Sequence, residues 1–140
     1  MTSLPYRIVE HPADTGFEVW GDSVARLFEA AAMAFFDIMW RLGPSRKGPP
    51  RIIEVTAGDR EELLVNFLEE FHYLYDAEGL VCTGVEILTI TERKVTARAW
   101  LRDFNDAMDL ELLSVKAVTY HQLFIGKKNS TWEGRVFLDI

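Results

Sequence analysis

Residues 115–140 read VKAVTYHQLFIGKKNSTWEGRVFLDI, and this closing stretch decides the fold class. Val115 to Ile125 and Trp132 to Ile140 are runs rich in β-branched and aromatic residues. The polar interval Gly126 to Thr131 parts them, the signature of an antiparallel hairpin. Side chains of a strand alternate between two faces, so Glu133, Arg135, Phe137 and Asp139 share one face while Val136, Leu138 and Ile140 share the other. Asp139 is thus expected on the face opposite its apolar neighbours. Upstream, Val85 to Thr91 and Lys94 to Leu101 keep the same two-residue rhythm around a tight Glu92-Arg93 turn, predicting a second hairpin.

The first half of the chain has a different period. Tyr6 to Glu10 and Gly16 to Gly21 predict short strands flanking HPADTG (residues 11–16). In that turn a proline-stiffened segment and a glycine hold Asp14 between them. Val24, Leu27, Phe28, Ala31, Phe35, Ile38 and Met39 then recur at helical spacing behind a cap at Asp22 or Ser23, with Gly43-Pro44 as the stop signal. GPSRKGPP (43–50) is rich in proline, glycine and cations and reads as a solvated connection; it lacks the spacing of a nucleotide-phosphate loop. Arg51 to Thr56 is a short strand candidate. A second helix follows Asp59, with Glu62 in the capping-box position, an apolar stripe of Leu63, Leu64, Phe67, Leu68, Phe71, Leu74 and Tyr75, and Gly79 at its end. Two helices embedded among hairpins predict an α+β fold, a mostly antiparallel sheet with two main helices covering one face, in a single domain spanning residues 1–140.

Composition narrows the functional classes. The 140 residues are 49% hydrophobic, enough for one buried core. The single cysteine, Cys82, excludes an intrachain disulfide framework and a multi-cysteine metal site, and beside Val81 it reads as a packed, inert thiol. No apolar window approaches the length of a membrane span and no leader pattern stands at the start, so a cytoplasmic location is expected. Fifteen Lys and Arg against 22 Asp and Glu give a net charge of −7, which disfavours direct binding to a phosphate backbone and favours a basic partner.

The candidate chemistry is carboxylate chemistry. Asp139 and the α-carboxylate of Ile140 tie two anions together at the end of the last strand, and Asp14 would join them if the fold brings the two ends together. Such an oxygen-only cluster suits a hard divalent cation, Ca²⁺ or Mg²⁺, because these ions take six or more oxygen ligands and fill vacancies with water. Without a cation, three like charges would repel one another. The plainer alternative is that Asp14 caps a turn and Asp139 stands in solvent at a chain end. Lys116 is a mobile point charge suited to a phosphate or to a partner's carboxylate, or else an ordinary edge lysine. His11 and His121 are expected at most to neighbour and tune the ligands, since imidazole belongs to softer sites. His72 reads as a partly exposed surface residue, and DFNDAMD (103–109) as a solvated turn whose acids lack EF-hand spacing. No Gly-x-Ser-x-Gly, Walker-type loop or Cys-His pair is present, so catalysis by this chain alone is not expected.

HPADTGFEVWG, SVARLFEAAAMAFFDIM, VNFLEEFHYLYDAEGLV, VKAVTYHQLFI and WEGRVFLDI, in this order, resemble the archease family over nearly the whole chain, with only residues 40–60 offering little to compare. The resemblance implies a protein cofactor of the GTP-dependent tRNA-splicing ligase, which joins RNA ends bearing a 2′,3′-cyclic phosphate or 3′-phosphate to a 5′-hydroxyl. The family promotes the ligase's covalent histidine-GMP intermediate and multiple turnover, and so acts like a chaperone in effect. Carried onto this sequence, the family's metal-binding pattern falls on Asp14, Asp139 and the Ile140 carboxylate, and its functionally sensitive lysine on Lys116. The rival readings are an autonomous metal-dependent phosphohydrolase using Asp14 and Asp139, and a general folding chaperone with an exposed apolar patch.

Overall fold

The computed structural model describes residues 4–10 and 14–140. In chain order the elements are β1 (Tyr6–Glu10), β2 (Thr15–Gly21), α1 (Val24–Met39), β3 (Trp40–Arg41), β4 (Arg51–Thr56), α2 (Arg60–Glu78), β5 (Leu80–Ile90), β6 (Lys94–Asp103), β7 (Leu110–Glu111), β8 (Ala117–Lys128) and β9 (Thr131–Asp139). Every strand pair among the described residues is antiparallel. The α+β class, the mostly antiparallel strands and the two main helices stand as expected. The strands divide, however, into a four-stranded sheet ordered β1-β2-β9-β8, a three-stranded sheet ordered β4-β6-β5, and a β3-β7 ribbon.

Local chemistry accounts for both helices. Ser23 caps α1, its hydroxyl accepting from the Arg26 amide at 3.1 Å. Only Arg26, Met33 and Asp37 of α1 are exposed, a single thin stripe, because the helix packs against strands of both main sheets. Ala30, Ala31, Ala32 and Ala34, all buried, keep the helix narrow enough for that double contact. The helix ends at Met39, before the Gly43-Pro44 stop, because Trp40 turns extended to pair with Glu111 across the β3-β7 ribbon. At α2 the expected cap forms: Asp59 Oδ1 accepts from the Glu62 amide at 2.8 Å, and Glu62 reaches back to the Gly58 amide at 3.1 Å. Gly79 closes α2 in the left-handed conformation, φ 68°, donating to the Tyr75 carbonyl at 2.9 Å. A β-carbon at that φ would be strained.

The core lies where the helices meet the sheets: Phe17, Phe28, Phe35, Phe67, Phe71, Leu63, Leu64, Leu68 and Leu138 are completely or almost completely shielded. Phe28, Phe67, Phe71 and Phe36 pack ring to ring at centroid distances of 5.1 to 5.6 Å, in the tilted and edge-on arrangements that aromatic quadrupoles favour. Tyr6 reaches inward from β1 to donate its hydroxyl to Asp37 of α1, tying the edge strand to the helix.

Several local expectations need correction. β5 begins at Leu80, and register shifts between Cys82 and Gly84 and between Ile87 and Thr89 mark irregularities that hide its length from a periodicity reading. The turn of the last hairpin is tighter than Gly126 to Thr131: it closes at Asn129-Ser130, with Asn129 at φ 59°. Residues 103–109 are not simply a solvated turn, since Asp109 is buried. Its carboxylate takes two guanidinium hydrogen bonds from Arg102 at 2.6 and 2.8 Å and backbone donors from Gly43 and Asn105 at 2.8 Å each. His72 is largely buried, and its Nε2 sits 2.7 Å from the Val115 carbonyl.

Candidate functional site

The four-stranded sheet joins the two ends of the chain. β2 and β9 run antiparallel with Thr15 opposite Leu138, Gly16 opposite Phe137 and Glu18 opposite Arg135. Thr15–Leu138 is the end of that ladder, and the same register carried one residue further would set Asp14 against Asp139. On the other side of β9, Ala117 is opposite Asp139, and the Lys116 amide donates to the Asp139 carbonyl at 2.8 Å. The same antiparallel step sets Lys116 against Ile140. Asp14, Asp139, Lys116 and Ile140, separated in the sequence, thus gather at one end of three neighbouring strands.

Face assignment follows from the buried set. Phe17, Val19, Val136 and Leu138 point into the core, so Gly16, Glu18, Trp20, Arg135, Phe137 and Asp139 stand on the outer face. Asp139 is exposed, as its alternation with Leu138 requires, and Asp14 is half-buried. Phe137 departs from the simple pattern: it is outward-facing yet only 4% exposed. Its ring lies over Gly16, where a β-carbon would come within 2.7 Å of it, and the His121 ring is 5.8 Å away. Ile140, expected on the apolar face, is 37% exposed, because the ladder of β9 ends at Asp139.

Two side chains of α2 hold the segment that carries Lys116. Glu69 accepts from the Val118 amide at 2.5 Å, and His72 engages the Val115 carbonyl at 2.7 Å. Lys116 itself is exposed and has no ion-pair partner among the described residues. Its backbone is therefore fixed while its ammonium is left to solvent.

Beyond Thr119 the β8 strand breaks register: Thr119 pairs with Phe137, but the next pair is Phe124 with Arg135. Tyr120, His121, Gln122 and Leu123 bulge out opposite Val136 alone, with Gln122 at φ 50°. Thr119 and Arg135 secure the bulge. The Thr119 hydroxyl donates to the Phe137 carbonyl at 3.0 Å and accepts from the His121 amide at 3.3 Å, and Arg135 Nε donates to the Gln122 carbonyl at 3.1 Å. The strand reading of Val115 to Ile125 missed this bulge, because no glycine, proline or asparagine marks it. His121 leans on Phe137, two residues from Asp139 along β9, while His11 lies outside the described residues. The Tyr120 hydroxyl is pushed up, first by burial and then by the nearby carboxylates of Glu62, Asp59 and Glu69, so the flank of the site facing α2 is acidic as well.

Among the described residues no three of the His, Cys, Asp and Glu side chains gather as a ready-made metal cage. Asp14 and Asp139, if brought together, would offer two hard carboxylate donors, which fit a largely hydrated Ca²⁺ or Mg²⁺ and are too few for a softer, fully protein-ligated ion.

The sequence profile described as the Archease protein family matches residues 6–140. The chain belongs to the archease family. Archease relatives include the protein archease of Pyrococcus abyssi, 37% identical over 135 residues covering 94% of this chain and 95% of that one, and that of Pyrococcus furiosus, 34% identical over 137 residues covering 94% and 95%. Among solved structures, the solution structure of Methanobacterium thermoautotrophicum protein 1598 superposes with a TM-score of 0.81 at 27% identity, covering 99% of this chain and all of that one. A crystal structure from Thermotoga maritima, described as an archease and possible chaperone, shares the fold with a TM-score of 0.62 at 21% identity and 94% coverage of both chains.

Proposed function

We propose that this archease-family chain is a non-catalytic activator of the GTP-dependent tRNA-splicing ligase. It presents the Asp14-Asp139 end of its sheet to the ligase active site and favours guanylylation of the ligase and its repeated turnover. The observation that supports the reading is the register of β2 against β9, which ends at Thr15 opposite Leu138 and so brings the segment before Thr15 toward Asp139, with the Lys116 amide bonded to the Asp139 carbonyl.

An activator accelerates a reaction only by favouring the transition state or the competent conformer over the resting state; uniform affinity would merely occupy the ligase. The features that support this reading are a fixed backbone and mobile charges. The Asp139 main chain is held by the Lys116 amide, and the Val115 to Val118 segment is tied to α2 through Glu69 and His72. These bonds fix the backbone beside Lys116 and Asp139 and engage neither side-chain charge. Asp14, Asp139 and the Ile140 carboxylate would hold a divalent ion, Ca²⁺ or Mg²⁺, which supplies positive charge where phosphates and a nucleophilic histidine must be brought together. Lys116 reaches a phosphate or a carboxylate of the partner. His121 limits the movement of Phe137 beside the acidic pair.

The test is single-turnover guanylylation of the cognate ligase with and without this protein. Asp14→Ala, Asp139→Ala and deletion of Ile140 should each abolish stimulation while leaving the thermal transition of the domain in place. Full stimulation by all three variants would remove the acidic end from the mechanism.

A further inference from the structure

The face that bears Asp139 continues along β9 into a shallow depression of about 430 Å³ that the acidic end does not use. Its walls are Arg7, Glu18, Trp20, Phe124, Glu133 and Arg135, arranged by register as two cross-strand rows: Arg7-Glu18-Arg135-Phe124 and, next to it, Trp20-Glu133-Gly126. Phe124 lies over bare Gly126, where a β-carbon would come within 2.7 Å of the ring. Despite that support Phe124 is 47% exposed and Trp20 37% exposed. Arg7 is paired with Glu18 at 2.7 Å, whereas Arg135 and Glu133 have no ion-pair partner among the described residues. Two large apolar surfaces, a guanidinium and a carboxylate are therefore offered together.

Size and charge choose the occupant. A specific protein complex buries roughly 800 Å² on each partner, about 20 to 30 residues a side, which the few residues of the acidic end do not supply. The surface continuous with them is this outer face, and the six steps from Asp139 to Glu133 carry it about 20 Å along β9. Tryptophan and arginine around an apolar floor are the residue types that dominate protein-protein binding energy. Glu18 and Glu133, on a chain of net charge −7, oppose a nucleic-acid backbone.

We infer that the Trp20-Phe124-Arg135 depression is the affinity site for the RNA ligase, seating an apolar side chain of the ligase between charged residues of both signs, while the acidic end acts on the reaction. This inference rests on the activator reading above. Guanylylation of the cognate ligase is titrated with wild type, Phe124→Ser, Trp20→Ser and Glu133→Lys, the last a surface change that keeps the fold if the aromatic changes do not. Loss of an anchor should raise the half-saturating concentration about tenfold or more with the plateau kept, whereas Asp139→Ala should lower the plateau. If wild type stimulates and the folded variants titrate at its concentration, the depression is not the docking site. If wild type does not stimulate, the activator reading fails, and binding of wild type and variants to immobilised ligase decides the depression separately. Weaker binding by the variants upholds it; equal binding, or none by wild type, overturns it. Dimerisation of wild type that Phe124→Ser abolishes, or capture of a single-stranded RNA oligonucleotide, would also overturn it, by naming a different occupant.

Discussion

Asp14 and Asp139 are the residues whose placement matters most, and their proposed affinity for a cation has a readout independent of any ligase. A ligand that binds only the folded state stabilises it by RT ln(1 + [L]/Kd), about 2.7 kcal/mol at a hundredfold excess over Kd. Added Ca²⁺ or Mg²⁺ should raise the melting temperature of wild type and leave that of Asp139→Ala unmoved; equal shifts in both would place the ion elsewhere. Cys82 illustrates a different kind of residue. Burial pushes its thiol up to about 12, against the smaller opposing influence of the Gly84 and Trp100 backbone and Lys47, so the thiolate needed for reaction is almost absent near neutral pH. Alkylation of Cys82 should be slow in the folded protein and fast in denaturant. Asp109 behaves oppositely: hydrogen bonds from Arg102, with backbone donors at Asn105 and Gly43, hold its carboxyl well below the usual carboxylate range despite its burial. A depressed folded pKa stabilises the native state above the ordinary carboxylate value of about 3.9, and that contribution is lost as the pH falls below it. The stability gap between wild type and Asp109→Asn should therefore narrow from about pH 6 to about pH 3.

The helices and strands carry the local signals most faithfully. Asp59→Ala removes the cap of α2 and should cost about 1 kcal/mol in a denaturant titration. Gly79→Ala places a β-carbon in the left-handed region and should cost about 1 to 2 kcal/mol. The capping residues and Gly79 act within a turn of the chain, which is why a linear reading finds them. The end of α1 and the bulge of β8 do not follow that rule. Trp40 leaves the helix to pair with Glu111, 71 positions away, and the bulge exists because Thr119 and Arg135 satisfy its backbone from across the strand pair. Neither cause is present in the neighbouring residues.

For the molecule as a whole, the aromatic cluster between the helices is one part of a continuous core that reaches both main sheets. Phe71 is 1% exposed and meets both Phe36 and Phe67 edge-on. Phe71→Ala should therefore cost about 3 to 5 kcal/mol, read as a fall in the denaturation midpoint. Helical periodicity marked Phe28, Phe67 and Phe71 of this cluster, because burial of one face per element is a repeating demand on composition, but it missed Phe36, which is buried because α1 packs on more than one side. Asp109 escaped the same reading: a charged residue in a polar interval looks solvated until Arg102 and the Gly43 amide are seen around it.

Sequence alone determined the α+β class, the capped helices, the two hairpins and the candidacy of Asp14, Asp139 and Lys116, since periodicity, caps and motif residues act over short spans or can be compared residue by residue. Tertiary structure decided that the strands split into two main sheets, that β2 lies beside β9 with Thr15 opposite Leu138, and that Arg135, Trp20 and Phe124 share one open face. The physical reason is that strand order and register arise from pairing between distant segments, where backbone hydrogen bonds are the same for every residue. Only the combined burial of all the elements selects one arrangement.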